Sequence, residues 1–314
     1  MQYDYDVAII GAGAAGMSAA VYAGRSGSRT VLFDKDTPGG QTLLSPAIEN
    51  YLGFKNITGP DLCDVMAEHA KQYCDLKELE EVLEVEKLYG PGNAPIGFQL
   101  KTSKGNYRIG VLILAMGAHH RHLGVPGEKE LSGRGVSSCA TCDGYFFKTK
   151  KVMMVGGGNS AALETIFLKG IGVDVEMVHR RDALRAEAAY QKQLKDLGVV
   201  IHWDSEVEEI VGKDKAEAIR IINNKTKERR TVKVDGVFVS IGIIPSSGLA
   251  KKIGCVLDAA GYVKVNPQTM ETNVPRVYAC GDIIGGARQI ATGVGQGCIA
   301  ALQANVPLGK AYPF

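Results

Sequence analysis

Residues 6–16 read DVAIIGAGAAG, and residues 152–161 read VMMVGGGNSA. Asp6 to Ile10 is an apolar run of strand length. It enters Gly11-Ala12-Gly13-Ala14-Ala15-Gly16 and then a helix of small residues through Ala23. Val152 to Val155 behaves alike, entering Gly156-Gly157-Gly158-Asn159-Ser160-Ala161 and a helix to about Lys169. Each unit is a strand, a G-x-G-x-x-[GA] turn and a helix. One such turn is a weak signal, because glycine-rich turns are common. Two in one chain, each in the required context, reinforce one another.

The next strand of each unit keeps the register. Thr30 to Phe33 ends at Asp34, and Val175 to Val178 ends at His179, each 23 positions after the first glycine of its turn. A third element repeats too: Val111 to Leu114 runs into Ala115-Met116-Gly117, and Val237 to Val239 into Ser240-Ile241-Gly242. The pattern predicts two dinucleotide-binding domains, the second inserted into the first. The first covers residues 1–117 and 246–314, and the second 118–245. The chain is expected to cross between them at about Ala118–Pro126 and Pro245–Gly248. The charged, alternating stretches Glu78–Gln99 and Ile219–Lys233 read as strands and hairpins covering each domain.

In such a turn the first glycine lets the chain bend and the second lets backbone approach a pyrophosphate. The third small residue lets helix and strand pack closely. The helix N-terminus offers free N–H groups and partial positive charge to the phosphates. The residue ending the second strand reads the ribose. Asp34 accepts from ribose hydroxyls and repels a 2′-phosphate, which predicts an FAD or NAD site. His179 is followed by Arg180 and Arg181, with Arg185 one turn on, and guanidinium groups clamp a phosphate bidentately. That predicts an NADP site. The plainer reading of His179-Arg180-Arg181 is a solvated basic surface.

Composition agrees with a folded two-domain chain of 314 residues. Glycine is in excess, 39 residues or about 12% against a usual ~7%, and most sit singly at strand ends. A net charge of +2 gives no argument for nucleic acid or an anionic membrane. No apolar run approaches the ~18 residues of a membrane span. The N-terminal residues show no signal peptide. Seven cysteines, scattered except for one pair, make a poor disulfide framework and point to a reducing cytoplasm.

The pair is Cys139-Ala140-Thr141-Cys142-Asp143-Gly144. Half a zinc site is one reading, although no second C-x-x-C follows. The other is a dithiol/disulfide couple, with Asp143 placed to shuttle a proton or merely to cap a turn. Tyr145-Phe146-Phe147 and Arg134 nearby suit a docking surface for a protein disulfide, or else the core. Cys63, Cys74, Cys255, Cys280 and Cys298 read as packing residues.

The order GAGAAG, PGGQ, SCATCDG, GGGNSA, HRR and a late GD with ARQ resembles the low-molecular-weight, bacterial and archaeal thioredoxin reductases, over essentially the whole chain. The resemblance implies an α/β fold of two Rossmann-like three-layer ββα dinucleotide-binding domains, the NADPH domain inserted into the FAD domain. It implies FAD held by Gly11, Gly13, Ala14, Ala15, Gly16, Asp34, Lys35, Gly39, Gly40, Gln41, Asn50, Ala115, Gly117, Gly281, Asp282, Arg288, Gln289 and Ile290. It implies NADPH held by Gly156, Gly158, Asn159, Ser160, His179, Arg180, Arg181 and Arg185, and no metal. Catalysis would fall to Cys139, Cys142 and Asp143, with Cys142 nearer the flavin and Cys139 attacking the disulfide of thioredoxin. A homodimer and a rotation of one domain about the two crossings are further implications. Asp34 stands where the family most often has Glu, Leu163 where an acid is frequent, and Ile243 where a histidine is frequent. Alternative acceptors are a glutaredoxin-like protein or a peroxiredoxin. A non-catalytic nucleotide- or zinc-binding protein is the alternative of a different class.

Overall fold

The computed structural model describes residues 2–45, 47–92 and 94–310. The chain divides into two compact units, one running up to His119 and again from Ile244, the other His120–Ile243.

The first unit opens with β1 (Tyr5–Ile10), α1 (Ala14–Arg25), β2 (Thr30–Phe33), α2 (Gly59–Lys71) and β3 (Asp75–Lys77). A meander follows: β4 (Val82–Tyr89), β5 (Pro95–Thr102) and β6 (Asn106–Leu114). β3, β2, β1 and β6 form a parallel sheet in that order, and β5 and β4 extend it antiparallel. Within the parallel strands Val7–Ile10, Val31–Phe33 and Val111–Leu114 are apolar and buried because both faces are covered there. Alternation sorts their side chains. Val7, Ile9, Val111 and Ile113 face a core of helix residues, while Ala8, Ile10, Leu112 and Leu114 face one containing Phe98 and Leu100 of the meander.

The chain leaves through β7 (Ala118–His120). The second unit then has β8 (Val136–Ser137), α3 (Ala140–Asp143), β9 (Lys151–Gly156), α4 (Asn159–Gly170), β10 (Asp174–Val178), α5 (Ala188–Asp196) and β11 (Ile201–His202). It ends with β12 (Ser205–Val211), β13 (Ala218–Asn223), β14 (Arg229–Lys233) and β15 (Gly236–Ser240). A parallel sheet runs β11-β10-β9-β15-β8, and β12-β13-β14 form an antiparallel one. Val152, Met154 and Met177 pack towards Ala161, Ala162 and Leu168 of α4. Met153, Val155 and Val239 pack towards Ile210, Ile219 and Ile221. The layers are therefore helices, parallel sheet and antiparallel sheet, as the resemblance implies.

The chain returns through β16 (Ile243–Pro245), which pairs with β7, and continues into α6 (Gly248–Lys252), β17 (Val277–Ala279) and α7 (Ile290–Ala304). β17 adds in parallel to β6. The units meet their boundary two residues past Gly117 and two before Pro245. Ser246 donates to the Gly117 carbonyl at 3.0 Å, which ties those ends to the first unit. α1 and α7 are rich in Gly and Ala and lie backbone to backbone: a Cβ built on Gly297 would come 2.1 Å from the Ala15 carbonyl oxygen.

Candidate active site

The first glycine turn shows which of its residues serve the fold and which leave room. Gly11 has φ +101°, and a Cβ there would lie 2.4 Å from the Ala115 carbonyl oxygen. A Cβ on Gly16 would lie 1.8 Å from the Gly11 carbonyl oxygen. These two glycines let α1 press onto β1 and β6. At Gly13, by contrast, a Cβ would meet nothing within 4 Å. No side chain caps α1, and no acid stands in its first turn. The start of α1 thus has no side-chain cap, and Gly13 leaves room beside it, as anion binding requires.

The other residues expected around this turn assemble from distant parts of the chain. Gly39 donates to the Ala12 carbonyl at 2.8 Å, and Gly40 follows 3.6 Å from the Gly13 backbone, measured from its Cβ position. Asp34 accepts from the Ala12 amide at 2.6 Å and the Asp36 amide at 2.9 Å. Burial pushes its pKa up, against those two bonds. A Cβ on Gly281 would lie 2.8 Å from the Ala15 Cβ, and one on Gly293 would lie 3.6 Å from it, so Asp282 and the start of α7 at Ile290 come to the start of α1. The Asp282 carboxylate accepts no hydrogen bond among the described residues; only its backbone carbonyl does, from the Gly285 amide at 3.1 Å. Burial raises its pKa while the Arg288 charge lowers it. Asn50 donates to Gln289 at 3.2 Å. An acid without a donor, beside a capless helix and an open glycine, fits a polyhydroxyl phosphate ligand. Lys35 and Gln41 are exposed and make no contact with the turn among the described hydrogen bonds and ion pairs; Lys35 lies 4.0 Å from Asp36. Gly117 stands at the crossing.

The second turn repeats the division of labour. A Cβ on Gly156 would lie 2.3 Å from the Ser240 carbonyl oxygen, whereas Gly158 is open. α4 has no side-chain cap and no acid in its first turn, where Ser160 is exposed. Asn159 and Glu187 bond reciprocally, side chain to side chain and amide to side chain, both at 2.8 Å. The Arg185 amide donates to the Gly157 carbonyl at 2.7 Å, which fixes that segment against the turn. His179 does not stand out toward a ribose. It is 7% exposed, and its ring backs Gly157, where a Cβ would meet it at 2.3 Å. Its Nε2 lies 3.1 Å from the Ala183 carbonyl oxygen. Burial lowers its pKa; the Ala183 bond opposes this, and the charges of Arg185, Arg181 and Arg180 reinforce it. The ring is a neutral wedge beneath the turn. The three arginines are exposed, and their side chains form no ion pair among the described residues.

The cysteines are joined: Cys139 and Cys142 form a disulfide. Cys139 stands at the start of the single turn of α3, half-buried, and Cys142 is exposed. Ser137, at the end of β8, was not among the residues expected at the site. Its hydroxyl accepts from the Cys139 amide at 3.1 Å and donates to Asp143 at 2.6 Å. Burial raises the Asp143 pKa, and the Ser137 bond pulls it back. The hydroxyl two residues before the first cysteine was the available signal, but serine at a strand end ordinarily reads as a turn residue. The aromatic run divides. Phe147 is buried against Phe238, ring centroids 5.3 Å apart. Tyr145 and Phe146 stay outside, 62% and 37% exposed.

The remaining thiols are separate from this chemistry. Cys63, Cys255 and Cys280 are buried, and Cys74 and Cys298 half-buried. Burial pushes Cys63 up to about 11 and Cys74 and Cys280 up to about 12, which leaves them protonated at neutral pH. Among the described residues no group of three or more His, Cys, Asp or Glu side chains is set to hold a metal.

Residues 5–297 match the family model of the pyridine nucleotide-disulphide oxidoreductases. The chain belongs to that family. Within it, the chain is similar to thioredoxin reductases. It is 40% identical to that of Listeria innocua over 313 residues, covering 96% of this chain and 93% of the relative. It is 41% identical to that of Bacillus subtilis over 306 residues, covering 95% and 92%. The crystal structure of thioredoxin reductase from Streptococcus pyogenes superposes with a TM-score of 0.90 at 37% identity, over 97% of this chain and 98% of that one. This family member is accordingly an oxidoreductase enzyme, and its α/β architecture is that of its relatives.

Proposed function

We propose that this family member reduces the disulfide of thioredoxin with NADPH, using FAD and the Cys139–Cys142 pair. The overall balance is NADPH, one proton and a partner disulfide giving NADP⁺ and a partner dithiol. FAD, when bound, supplies a two-electron carrier between a nicotinamide and a disulfide. The observation that carries the reading is the placement of a disulfide, with an acid hydrogen-bonded beside it, in the same unit as a glycine turn flanked by three unpaired arginines.

On this reading the first unit holds FAD. The open face of Gly13 and the amides of Ala14, Ala15 and Gly16 receive the pyrophosphate, and Asp34 receives ribose hydroxyls. Asp282 takes hydroxyls of the ribityl chain. The second unit holds NADPH at Gly158 and Ser160, with Arg180, Arg181 and Arg185 on the 2′-phosphate. Once the disulfide has taken up two electrons, its S–S bond is broken and both sulfurs are free. The Cys139 thiolate then attacks the partner disulfide and forms a mixed disulfide, releasing one partner thiolate. Cys142 attacks Cys139, restores the internal bond and releases the second. Asp143, held by Ser137, donates and accepts protons as these thiolates form and leave. Tyr145 and Phe146 offer the partner an exposed aromatic edge next to Cys142. We also assign the enzyme to the cytoplasm as a homodimer, testable by fractionation and sedimentation. Among the described residues no helix is long and apolar enough to cross a membrane.

The test is NADPH oxidation by flavin-loaded protein with thioredoxin, a glutaredoxin-like protein and a peroxiredoxin in turn, comparing wild type with Cys139→Ser. Turnover with thioredoxin that vanishes in the variant is expected. Turnover only with another acceptor, or turnover surviving the substitution, refutes the reading.

A further inference from the structure

We infer that Trp203, the only tryptophan of the chain, forms the adenine-side wall of the site for a 2′-phosphorylated adenosine nucleotide. The inference rests on the NADPH reading and names a residue that the reading does not contain. Trp203 follows β11, at the carboxyl end of the parallel sheet where ligands of such folds gather. Its segment is stitched to the end of β10 by three backbone bonds. His179 donates to the His202 carbonyl at 3.0 Å, Ser205 to the His179 carbonyl at 2.9 Å and Asp204 to the Arg181 carbonyl at 3.1 Å. The indole meets the His179 ring edge-on, centroids 6.4 Å apart. His179 in turn backs Gly157, so turn, imidazole and indole form one continuous row beside Arg180 and Arg181.

A core tryptophan is covered and its N–H finds an acceptor. Trp203 is 38% exposed, and its Nε1–H has no acceptor among the described residues. Nor does the fold demand an aromatic here. The first unit builds the same corner with the same three bonds: Asp34 to the Lys77 carbonyl at 3.0 Å, Glu80 to the Asp34 carbonyl at 2.8 Å and Leu79 to the Asp36 carbonyl at 3.4 Å. The residue equivalent to Trp203 is there Glu78, a half-buried acid paired with Lys71 at 2.8 Å. The indole is therefore particular to the unit with the arginines. A half-open π-face next to unpaired guanidinium groups matches a purine carrying a phosphate on its ribose: the ring stacks and the phosphate is clamped.

The experiment titrates the holoenzyme with adenosine 2′,5′-bisphosphate, which carries the purine and the 2′-phosphate but no nicotinamide, while the single indole's emission is followed. A saturable emission change is expected, with the same midpoint as calorimetric binding and as competition against NADPH. Trp203→Ala should weaken calorimetric binding on the order of ten-fold, and Trp203→Phe, which keeps an aromatic face, should bind close to wild type. Both should leave the Michaelis constant for thioredoxin unchanged. Binding of the bisphosphate with unmoved emission and an unaffected Trp203→Ala overturns this inference alone. Absence of calorimetric binding to the wild type overturns it together with the NADPH reading.

Discussion

Substituting alanine separately at Gly13 and Gly16 separates what the first turn does for the fold from what it does for a ligand. On Gly16 the new Cβ would lie 1.8 Å from the Gly11 carbonyl oxygen and 3.0 Å from its carbon. Carbon and oxygen need about 3.2 Å, so the start of α1 must move off the Gly11 backbone by more than ~1 Å. Overpacking of this kind costs roughly 1–3 kcal/mol, and here both neighbours are backbone that cannot rotate away, which favours the upper end. The gain of alanine over glycine within a helix, about 0.5–1 kcal/mol, does not offset it. The melting temperature should fall by several degrees, at roughly 2–4 °C per kcal/mol. Gly13 behaves oppositely. Its backbone, at φ −74° and ψ −179°, is extended and open to any residue. Its Cβ would meet nothing within 4 Å. Alanine there should leave stability unchanged or raise it by up to about 1 kcal/mol. Yet the methyl fills the space in which a phosphate meets the start of α1. Loss of even one charged hydrogen bond, about 1.5–3 kcal/mol, weakens flavin affinity by roughly ten- to hundred-fold. The assay pairs thermal melting of flavin-stripped protein with flavin retained after gel filtration, read from the visible spectrum. A Gly13→Ala protein that keeps its full flavin complement, or a Gly16→Ala protein with an unchanged melt, refutes the reasoning.

Three other outcomes follow from the same geometry. Replacing Arg180 and Arg181 with Ala should raise the Michaelis constant for NADPH far more than that for NADH, and equal effects would remove the arginines from the 2′-phosphate. Ser137→Ala deletes the bond that favours ionised Asp143 while its burial remains. The carboxyl then stays protonated to higher pH, and the activity limb that requires its ionised form moves to more alkaline pH. Asp143→Asn should abolish that limb and slow dithiol exchange by on the order of a hundred-fold, and a pH–rate profile identical in all three proteins would contradict both roles. Tyr145→Ala and Phe146→Ala, at exposed positions, should raise the Michaelis constant for thioredoxin and leave that for NADPH alone, whereas Phe147→Ala should lower stability by roughly 3–5 kcal/mol. The comparison is made by steady-state kinetics and melting on the same preparations.

The backbone plan was legible because it depends on composition at short range. Apolar runs entering glycine turns mark β1 and β9, and the equal spacing from those turns to Asp34 and His179 marks the ends of β2 and β10 and puts the two halves in register. The insertion followed from the repeat of Val111–Gly117 by Val237–Gly242. What escaped is side-chain direction, which tertiary packing sets. His179 stands at the position from which a residue reads the ribose, but Gly157 lacks a Cβ and the imidazole fills the space beneath it. Ser137 joins the cysteines and Asp143 only because a strand end and a helical turn meet there. The run Tyr145-Phe146-Phe147 lies on one short 3₁₀ turn, Gly144–Phe147, which sends only the last ring inward. A lone tryptophan after a strand gives no sign in sequence that its face is open.

One corner is built twice in the chain, and the proposed function gives each copy a different ligand. In both units three identical backbone bonds lock the end of the second strand to the segment after the third. That leaves one side chain free to vary at the strand end and another just beyond it. In the first unit the strand-end residue is an acid, and its carboxylate is held by the Ala12 and Asp36 amides. A fixed negative charge there accepts hydroxyl donors and repels a phosphate. In the second unit the strand-end residue turns inward as a neutral ring, so no negative charge stands at the strand end itself, and among the described residues the side chains of Arg180, Arg181 and Arg185 form no ion pair. The turn itself is left alone in both. On the proposed assignment of the two turns, selectivity between a bare and a phosphorylated ribose resides in charge at two positions rather than in the shape of the cradle. Exchanging Asp34 for a neutral residue should therefore weaken hold on a ribose-bearing flavin without creating a 2′-phosphate site, because no arginines stand beside it to receive one.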